Sequence, residues 1–269
     1  MLNKYILETV PDTQKMTMDE KVSHAEHKER FLKESIKHED LVVQPLPSDA
    51  SFRKYDRIIS PKGKFILMDA SKDKSSVEPF ILVAEFLRSK GYSAPQIFAR
   101  DVELGLLLLE DLGEESYSSV LKGLDKDVER RLYKKAIDLL LTMHNEEVAN
   151  TVAVPEYDQE KLLEEAVLLL DWYFPVLTGS SISEELRQEY IQAWKKIFSC
   201  LHYATDCLVL RDYHIDNLIW MEDRAGIEKV GLLDFQDAVK GCKYRPITIQ
   251  AVLSAGQCNM WLVILDVLL

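Results

Sequence analysis

Apolar and polar positions change period several times along this chain, and the changes mark out its elements. Leu41 to Ala70 reads as strand, turn, strand: Val42-Val43 opens it, Phe52 to Ile59 alternates, and Ser60-Pro-Lys-Gly63 is a turn leading into Phe65-Ile-Leu-Met68. Between Val77 and Lys90, residues Phe80, Val83, Ala84 and Leu87 share one helical face, which predicts a helix packed on that sheet and stopped by Gly91. Strand character returns at Pro95 to Ala99 and at Leu106 to Leu109, the second so uniformly apolar that burial on both faces is expected. Upstream, a densely charged amphipathic helix is expected from Lys21 to Lys37, after a polar extension from Met1 to about Glu20.

From Ser116 onward the helical period dominates. Leu132, Ala136, Leu139, Leu140 and Met143 mark one helix between Val128 and Val148; Leu162, Ala166, Leu169 and Leu170 mark another between Lys161 and Trp172. A third is expected over Glu184 to Tyr203, opened by a Ser181-x-x-Glu184 capping box, with Leu186, Tyr190, Trp194, Ile197 and Leu201 inward. Asp171-Trp-Tyr-Phe-Pro175 ends the second helix, where aromatics serve as core plugs more often than as a substrate wall. His144 reads as a core or capping histidine.

Two stretches near the end carry the candidate chemistry: Leu208-Val-Leu-Arg-Asp-Tyr-His-Ile-Asp-Asn-Leu-Ile-Trp220 and Val230-Gly-Leu-Leu-Asp-Phe-Gln-Asp-Ala238. Each begins as a short apolar strand and presents a carboxylate just beyond it, with Asp212 and Asn217 spaced as D-x-x-x-x-N and Asp234 following Leu232-Leu233. Phosphoryl transfer needs a base to position an acceptor hydroxyl and hard oxygen ligands to hold Mg²⁺. Asp212 fits the base, and Asn217 and Asp234 fit the metal ligands. A D-x-x-x-x-N pattern in a loop recurs by chance; the apolar flanks and the second strand-Asp unit give it weight.

Two further segments suit a nucleotide. The turn Ser48-Asp-Ala-Ser51, with Phe52-Arg-Lys54 behind it, offers backbone N–H groups, hydroxyls and cations to a triphosphate, or is an ordinary hairpin turn. Glu110-Asp-Leu-Gly113 leaves a strand for a helical region and fits a hinge whose backbone meets an adenine edge, or a plain surface connection.

Composition narrows the class. The 269 residues and 47% hydrophobic content suffice for one large domain or two lobes, and no repeat or low-complexity tract is present. A net charge of −12 disfavours a nucleic-acid partner but not ATP, whose charge is met by metal and a few local donors. Cys200, Cys207, Cys242 and Cys258 form no C-x-x-C pair and read as reduced thiols. The first twenty residues lack an apolar signal-peptide core, so a cytoplasmic location is expected.

The order of elements, together with Asp49-Ala-Ser-Phe-Arg53, Leu67-Met-Asp-Ala70, Ser93-Ala-Pro95, Leu106-Leu-Leu-Leu-Glu-Asp-Leu-Gly113, Asp171-Trp-Tyr173, Leu210-Arg-Asp-Tyr-His214 with Asn217, and Leu233-Asp-Phe-Gln-Asp-Ala238, resembles the aminoglycoside phosphotransferase and choline kinase group. Within it, the sequence is similar to the bacterial kinases that phosphorylate the anomeric hydroxyl of N-acetylmuramate and N-acetylglucosamine. The resemblance covers about Leu41 to Gly241. It implies an α+β, protein kinase-like two-lobed fold with a small β-rich N-lobe and a larger helical C-lobe. The division expected is 1–40 as extension and helix, 41–113 as N-lobe and hinge, 114–241 as helical C-lobe with the catalytic loop, and 242–269 as an atypical apolar tail.

The same resemblance implies ATP and Mg²⁺ as cofactors and a small-molecule hydroxyl as acceptor. Asp212 would be the catalytic base, with Asn217 and Asp234 on the metal. Ser48, Asp49, Ala50, Ser51, Phe52 and Arg53 would cover the phosphates, Glu110, Asp111 and Leu112 would meet adenine, and His214 would orient the loop. An aminoglycoside or choline-like alcohol is the alternative acceptor, and a nucleotide-binding pseudokinase the alternative class. Protein-kinase activity is disfavoured, because no activation segment follows Asp234.

Three positions depart from the group. The strand Phe65-Ile-Leu-Met-Asp69 lacks the usual phosphate-binding Lys, a charge that Arg53, Lys54 or Lys64 would have to supply; Leu210 replaces a structural His; and Gly241-Cys-Lys-Tyr-Arg-Pro246 leads into an apolar run from Ile247 to Leu269 instead of a Tyr-Asp pair and helices. That run is too polar for a good membrane span, and a truncated or frameshifted end is the expectation for it.

Overall fold

A computed structural model describes residues 18–47, 52–146, 151–199 and 207–241. The expectations for the polar start, for Ser48 to Ser51 and for the apolar run after Gly241 lie outside these residues, as do Cys200, Cys242 and Cys258. Cys207 is buried, and its thiol lies 3.2 Å from the Gly241 carbonyl oxygen.

The chain divides into two compact units, the described parts of Met1–Ala136 with Asp212–Asp237, and those of Ile137–Arg211 with Ala238–Leu269. In the first, helix α1 (Met18–Ile36) precedes strands β1 (Val42–Pro45), β2 (Lys54–Ser60) and β3 (Gly63–Asp69), helix α2 (Val77–Ser89), and strands β4 (Ile97–Asp101) and β5 (Leu106–Glu110). The five strands form one antiparallel sheet in the order β1-β2-β3-β5-β4. Strand β5 is internal, and its four leucines are all buried, as the uninterrupted apolar run requires.

Alternation along β2 and β3 sorts side chains onto two faces. Ile58 and Leu67, with Leu108 of β5, pack against Leu32 and Ile36 of α1. Asp56 and Asp69 lie on that same face, where they meet Lys28 and His24 of α1. Arg57 and Met68, one position out of phase, belong to the opposite face. Helix α2 buries Phe80, Val83, Ala84 and Leu87 as their spacing predicts, and ends at Gly91 with φ +81°, where a left-handed residue costs glycine little.

After β5 come the short helix α3 (Tyr117–Val120), capped by the Ser116 hydroxyl, and α4 (Lys126–His144), whose last residue His144 is buried. The Asp212–Asp237 segment returns to the first unit with the hairpin β7 (Leu218–Trp220) and β8 (Val230–Leu232). Gly231 bridges to Ser93, and Ile219 bridges to Ser116.

The second unit contains α5 (Gln159–Leu168), a π-helical turn at Leu169–Tyr173, the short α6 (Phe174–Thr178) and α7 (Glu184–Ser199), together with paired strands β6 (Cys207–Val209) and β9 (Val239–Gly241). Three expectations change here. Ser183, not Ser181, caps α7, because its Oγ accepts from the Leu186 N–H at 3.3 Å. Leu186 and Ile197 are also about half exposed while Phe198 is buried, so the apolar stripe of α7 is only partly covered. Trp172 and Tyr173 are exposed and not core plugs; Asp171 beside them pairs with Arg187. Among the described residues, no helix is long and apolar enough to cross a membrane.

Candidate active site

The D-x-x-x-x-N loop runs from β6 to β7, and local backbone strain aims it. Arg211 adopts φ +66°, a left-handed conformation that costs a residue with a Cβ about 1 kcal/mol or more and persists only where surroundings enforce it. One anchor is Tyr213, buried two residues on, whose hydroxyl donates to the Ala136 carbonyl at 2.6 Å. Burial pushes that hydroxyl's pKa well up, so it remains a donor. Asp212, between them, is exposed.

Asn217 closes the loop. Its backbone N–H bonds to the His214 carbonyl at 2.9 Å, and its side-chain Nδ2 lies 3.0 Å from the Asp212 carbonyl oxygen, 3.2 Å from His214 Nε2 and 3.5 Å from Asp234 Oδ2. Neighbours that accept fix the amide orientation and leave Oδ1 without a hydrogen bond among the described residues. His214 meets the loop through this contact with the Asn217 amide.

Asp234 follows β8 and is itself left-handed, φ +55°, a conformation that aspartate tolerates better than most residues. Its Oδ1 accepts from Arg53 Nη2 at 2.5 Å and from Gln236 Nε2 at 3.1 Å, while Oδ2 faces Asn217. The next residue, Phe235, is fully buried and stacks on Phe80 of α2 with centroids 4.9 Å apart, which pins this segment to the helix.

Arg53 comes from the residue before β2. Its exposure is only 7%. Burial opposes its charge, but Tyr55, Asp234 and Asp237 outweigh that cost and hold the guanidinium protonated. With Ser75, Ser76, Gln236 and Asp237 it lines a cleft of about 180 Å³ beside the start of α2. Lys54 and Lys64, the other candidates for the missing strand cation, are exposed, and Lys54 pairs with Asp69 in register, on the face turned to α1.

The hinge candidates divide. Leu112 buries its side chain against Ile219 and Met221 of the β7–β8 hairpin, and its backbone groups make no hydrogen bond among the described residues. The carboxylates beside it are committed elsewhere: Glu110 to Arg88 and Arg224, and Asp111 to Arg57 and the Gly113 N–H. Sequence reading missed this network and Gln236, whose only local signal is its place between two aspartates. Phe52 is exposed, and Ser48, Asp49, Ala50 and Ser51 lie outside the described residues.

The donor set suits a hard divalent cation: the unbonded Asn217 Oδ1 and the Asp234 carboxylate are oxygen ligands on adjacent segments. Among the described residues no cluster of three or more His, Cys, Asp or Glu occurs.

This sheet, helix and hairpin arrangement is an α+β, protein kinase-like fold, and solved structures share it. Choline kinase LicA from Streptococcus pneumoniae superposes with a TM-score of 0.61 at 15% identity, covering 89% of this chain and 79% of that one. The streptomycin–ATP ternary complex of the aminoglycoside phosphotransferase APH(2")-IIa gives 0.54 at 18% identity, covering 87% and 75%. Residues 42–242 match the phosphotransferase enzyme family, and the chain belongs to it. Among its relatives, the N-acetylmuramate/N-acetylglucosamine kinase of Pseudomonas aeruginosa is 35% identical over 201 residues, which are 73% of this chain and 55% of that protein. The kinase of the same name from Caulobacter vibrioides is 30% identical over 235 residues, 74% of this chain and 64% of that protein. The chain therefore spans little more than half the length of the P. aeruginosa relative.

Proposed function

We propose that this chain is a kinase that transfers the terminal phosphoryl group of ATP to a hydroxyl of a cell-wall amino sugar, N-acetylmuramate or N-acetylglucosamine. The observation that carries the reading is the Asn217 amide, which faces both the Asp212 carbonyl and the Asp234 carboxylate and so joins the two strand-loop units into one site. The amino-sugar acceptor rests on the two relatives named above.

In this reading Asp212 accepts the proton of the acceptor hydroxyl and holds that oxygen in line with the phosphorus. Asn217 Oδ1 and Asp234 hold Mg²⁺, which when bound neutralises charge on the phosphates. Arg53, with the Ser48 to Phe52 segment, meets the phosphates. The backbone of Glu110, Asp111 and Leu112 receives adenine. Residues 41–113 form the nucleotide lobe and 114–241 the helical lobe, flanked by 1–40 and the 242–269 tail; use of ATP sets the reaction in the cytoplasm.

The test is a panel of N-acetylmuramate, N-acetylglucosamine, an aminoglycoside and choline, each incubated with the chain, ATP and Mg²⁺ and read by phosphorus NMR. A new anomeric phosphomonoester on an amino sugar is the expected product. Phosphate appearing only on the aminoglycoside or choline refutes the acceptor, and binding of ATP with transfer to none of them refutes the kinase.

A further inference from the structure

Asp234 is already fully engaged within the chain: Arg53 and Gln236 donate to one oxygen, and Asn217 faces the other. Arg53 is thus a cation sitting on the carboxylate that the proposed function gives to the metal. Its geometry also answers the missing strand lysine. It stands one residue before Lys54, which pairs with Asp69, so by alternation its side chain shares a face with Met68 and Arg57 rather than with Asp69.

We propose that Arg53 is a placeholder counter-ion: it occupies Asp234 in the free protein and is exchanged onto the nucleotide's phosphates when a metal–nucleotide complex binds. This rests on the proposed function. A divalent cation arriving alone meets a carboxylate with a guanidinium at 2.5 Å and must displace it with no anion to receive it. A metal-free nucleotide must draw Arg53 away and leave Asp234 without a cation. When both arrive together, the two ion pairs are exchanged rather than broken. Arg53 therefore makes metal and nucleotide binding synergistic, and by linkage each raises the other's affinity by the same factor. The adjacent cleft lined by Ser75 and Ser76 gives the side chain room to move off Asp234.

The experiment measures equilibrium binding, without turnover. Mn²⁺ serves as the metal probe, followed by electron paramagnetic resonance, and ATP binding is followed by calorimetry with Mn²⁺ or with EDTA. Arg53→Gln is expected to bind Mn²⁺ alone about five- to tenfold more tightly than the unmodified chain, and Mn²⁺·ATP about five- to tenfold more weakly. Asp234→Asn, which releases Arg53, is expected to bind ATP in EDTA more tightly than the unmodified chain. A merely structural Arg53 would weaken both kinds of binding in the first variant. Unchanged or weaker Mn²⁺ binding by Arg53→Gln overturns the proposal, as does unchanged or weaker EDTA–ATP binding by Asp234→Asn. The two variants are independent, so failure of one to fold leaves the other decisive. If the unmodified chain binds Mn²⁺·ATP normally and these shifts are absent, the exchange alone fails. If it binds no metal–nucleotide at all, the underlying functional reading fails with it.

Discussion

Asp69 ends β3 on the face covered by α1, and converting it to asparagine is expected to loosen that helix in a pH-dependent way. Its carboxylate is 6% exposed, lies 2.9 Å from His24 Nε2 and 3.2 Å from Lys28 Nζ, and accepts from the Ser71 N–H at 3.1 Å. Burial alone would raise its pKa; hydrogen bonds from His24 and Ser71 and the charge of Lys28 overcome that and lower it from 3.8 to about 2. The difference corresponds to about 2 kcal/mol of stability, and about 1–2 kcal/mol after allowance for solvent at the partly exposed Lys28. Because the folded-state pKa is depressed, this contribution is complete above the unfolded value near 3.8 and disappears as pH falls through about 2. Urea unfolding of Asp69→Asn should show a loss of about 1–2 kcal/mol at neutral pH that shrinks steadily below about pH 4, with faster amide exchange in the 23–36 segment. Lys28 keeps Asp56 as a partner at 3.0 Å, which limits the cost. A deficit independent of pH, or no deficit at pH 7, would refute the assignment of this network.

Two other substitutions probe packing at Tyr117 and Gly105. Tyr117 is fully buried and its hydroxyl has no hydrogen-bond partner among the described residues, so Tyr117→Phe should be neutral or stabilise by about 0.5–1 kcal/mol in thermal unfolding; a loss above about 1 kcal/mol would show that the hydroxyl is satisfied. Gly105 has φ +75°, and an added Cβ would sit 2.9 Å from the Ala70 carbonyl carbon, in backbone that cannot yield cheaply. Gly105→Ala should therefore lower the unfolding free energy by about 2–4 kcal/mol in denaturant titration, and a change below about 1 kcal/mol would contradict the close packing of the β4–β5 turn on Ala70.

Much of this organisation is legible in the residues because local signals agree. The helix from Val77, its glycine stop, the four-leucine strand and the two strand-carboxylate units each combine a clear period with a clear terminator. Features that depend on distant partners carry no such signal. The His24–Asp69 contact joins residues 45 apart, and nothing in a run of charged helix residues says which of them is turned toward the sheet. Which of Arg53, Lys54 and Lys64 faces Asp234 is set by strand register, which alternation alone leaves ambiguous next to a turn. On α7 the period marks an apolar stripe, yet covering it depends on what lies against each turn, so Phe198 is buried while Leu186 and Ile197 are not.

In the proposed function Asp212 serves phosphoryl transfer while metal and nucleotide are held by other groups. This is tested most directly by comparing Asp212→Asn with the unmodified chain, measuring in parallel ATP binding with Mg²⁺ and single-turnover transfer to N-acetylglucosamine and N-acetylmuramate. The expected result is binding within about twofold and transfer slowed by about 10²–10⁴. Transfer by Asp212→Asn at the unmodified rate would rule out a role for Asp212 as the base.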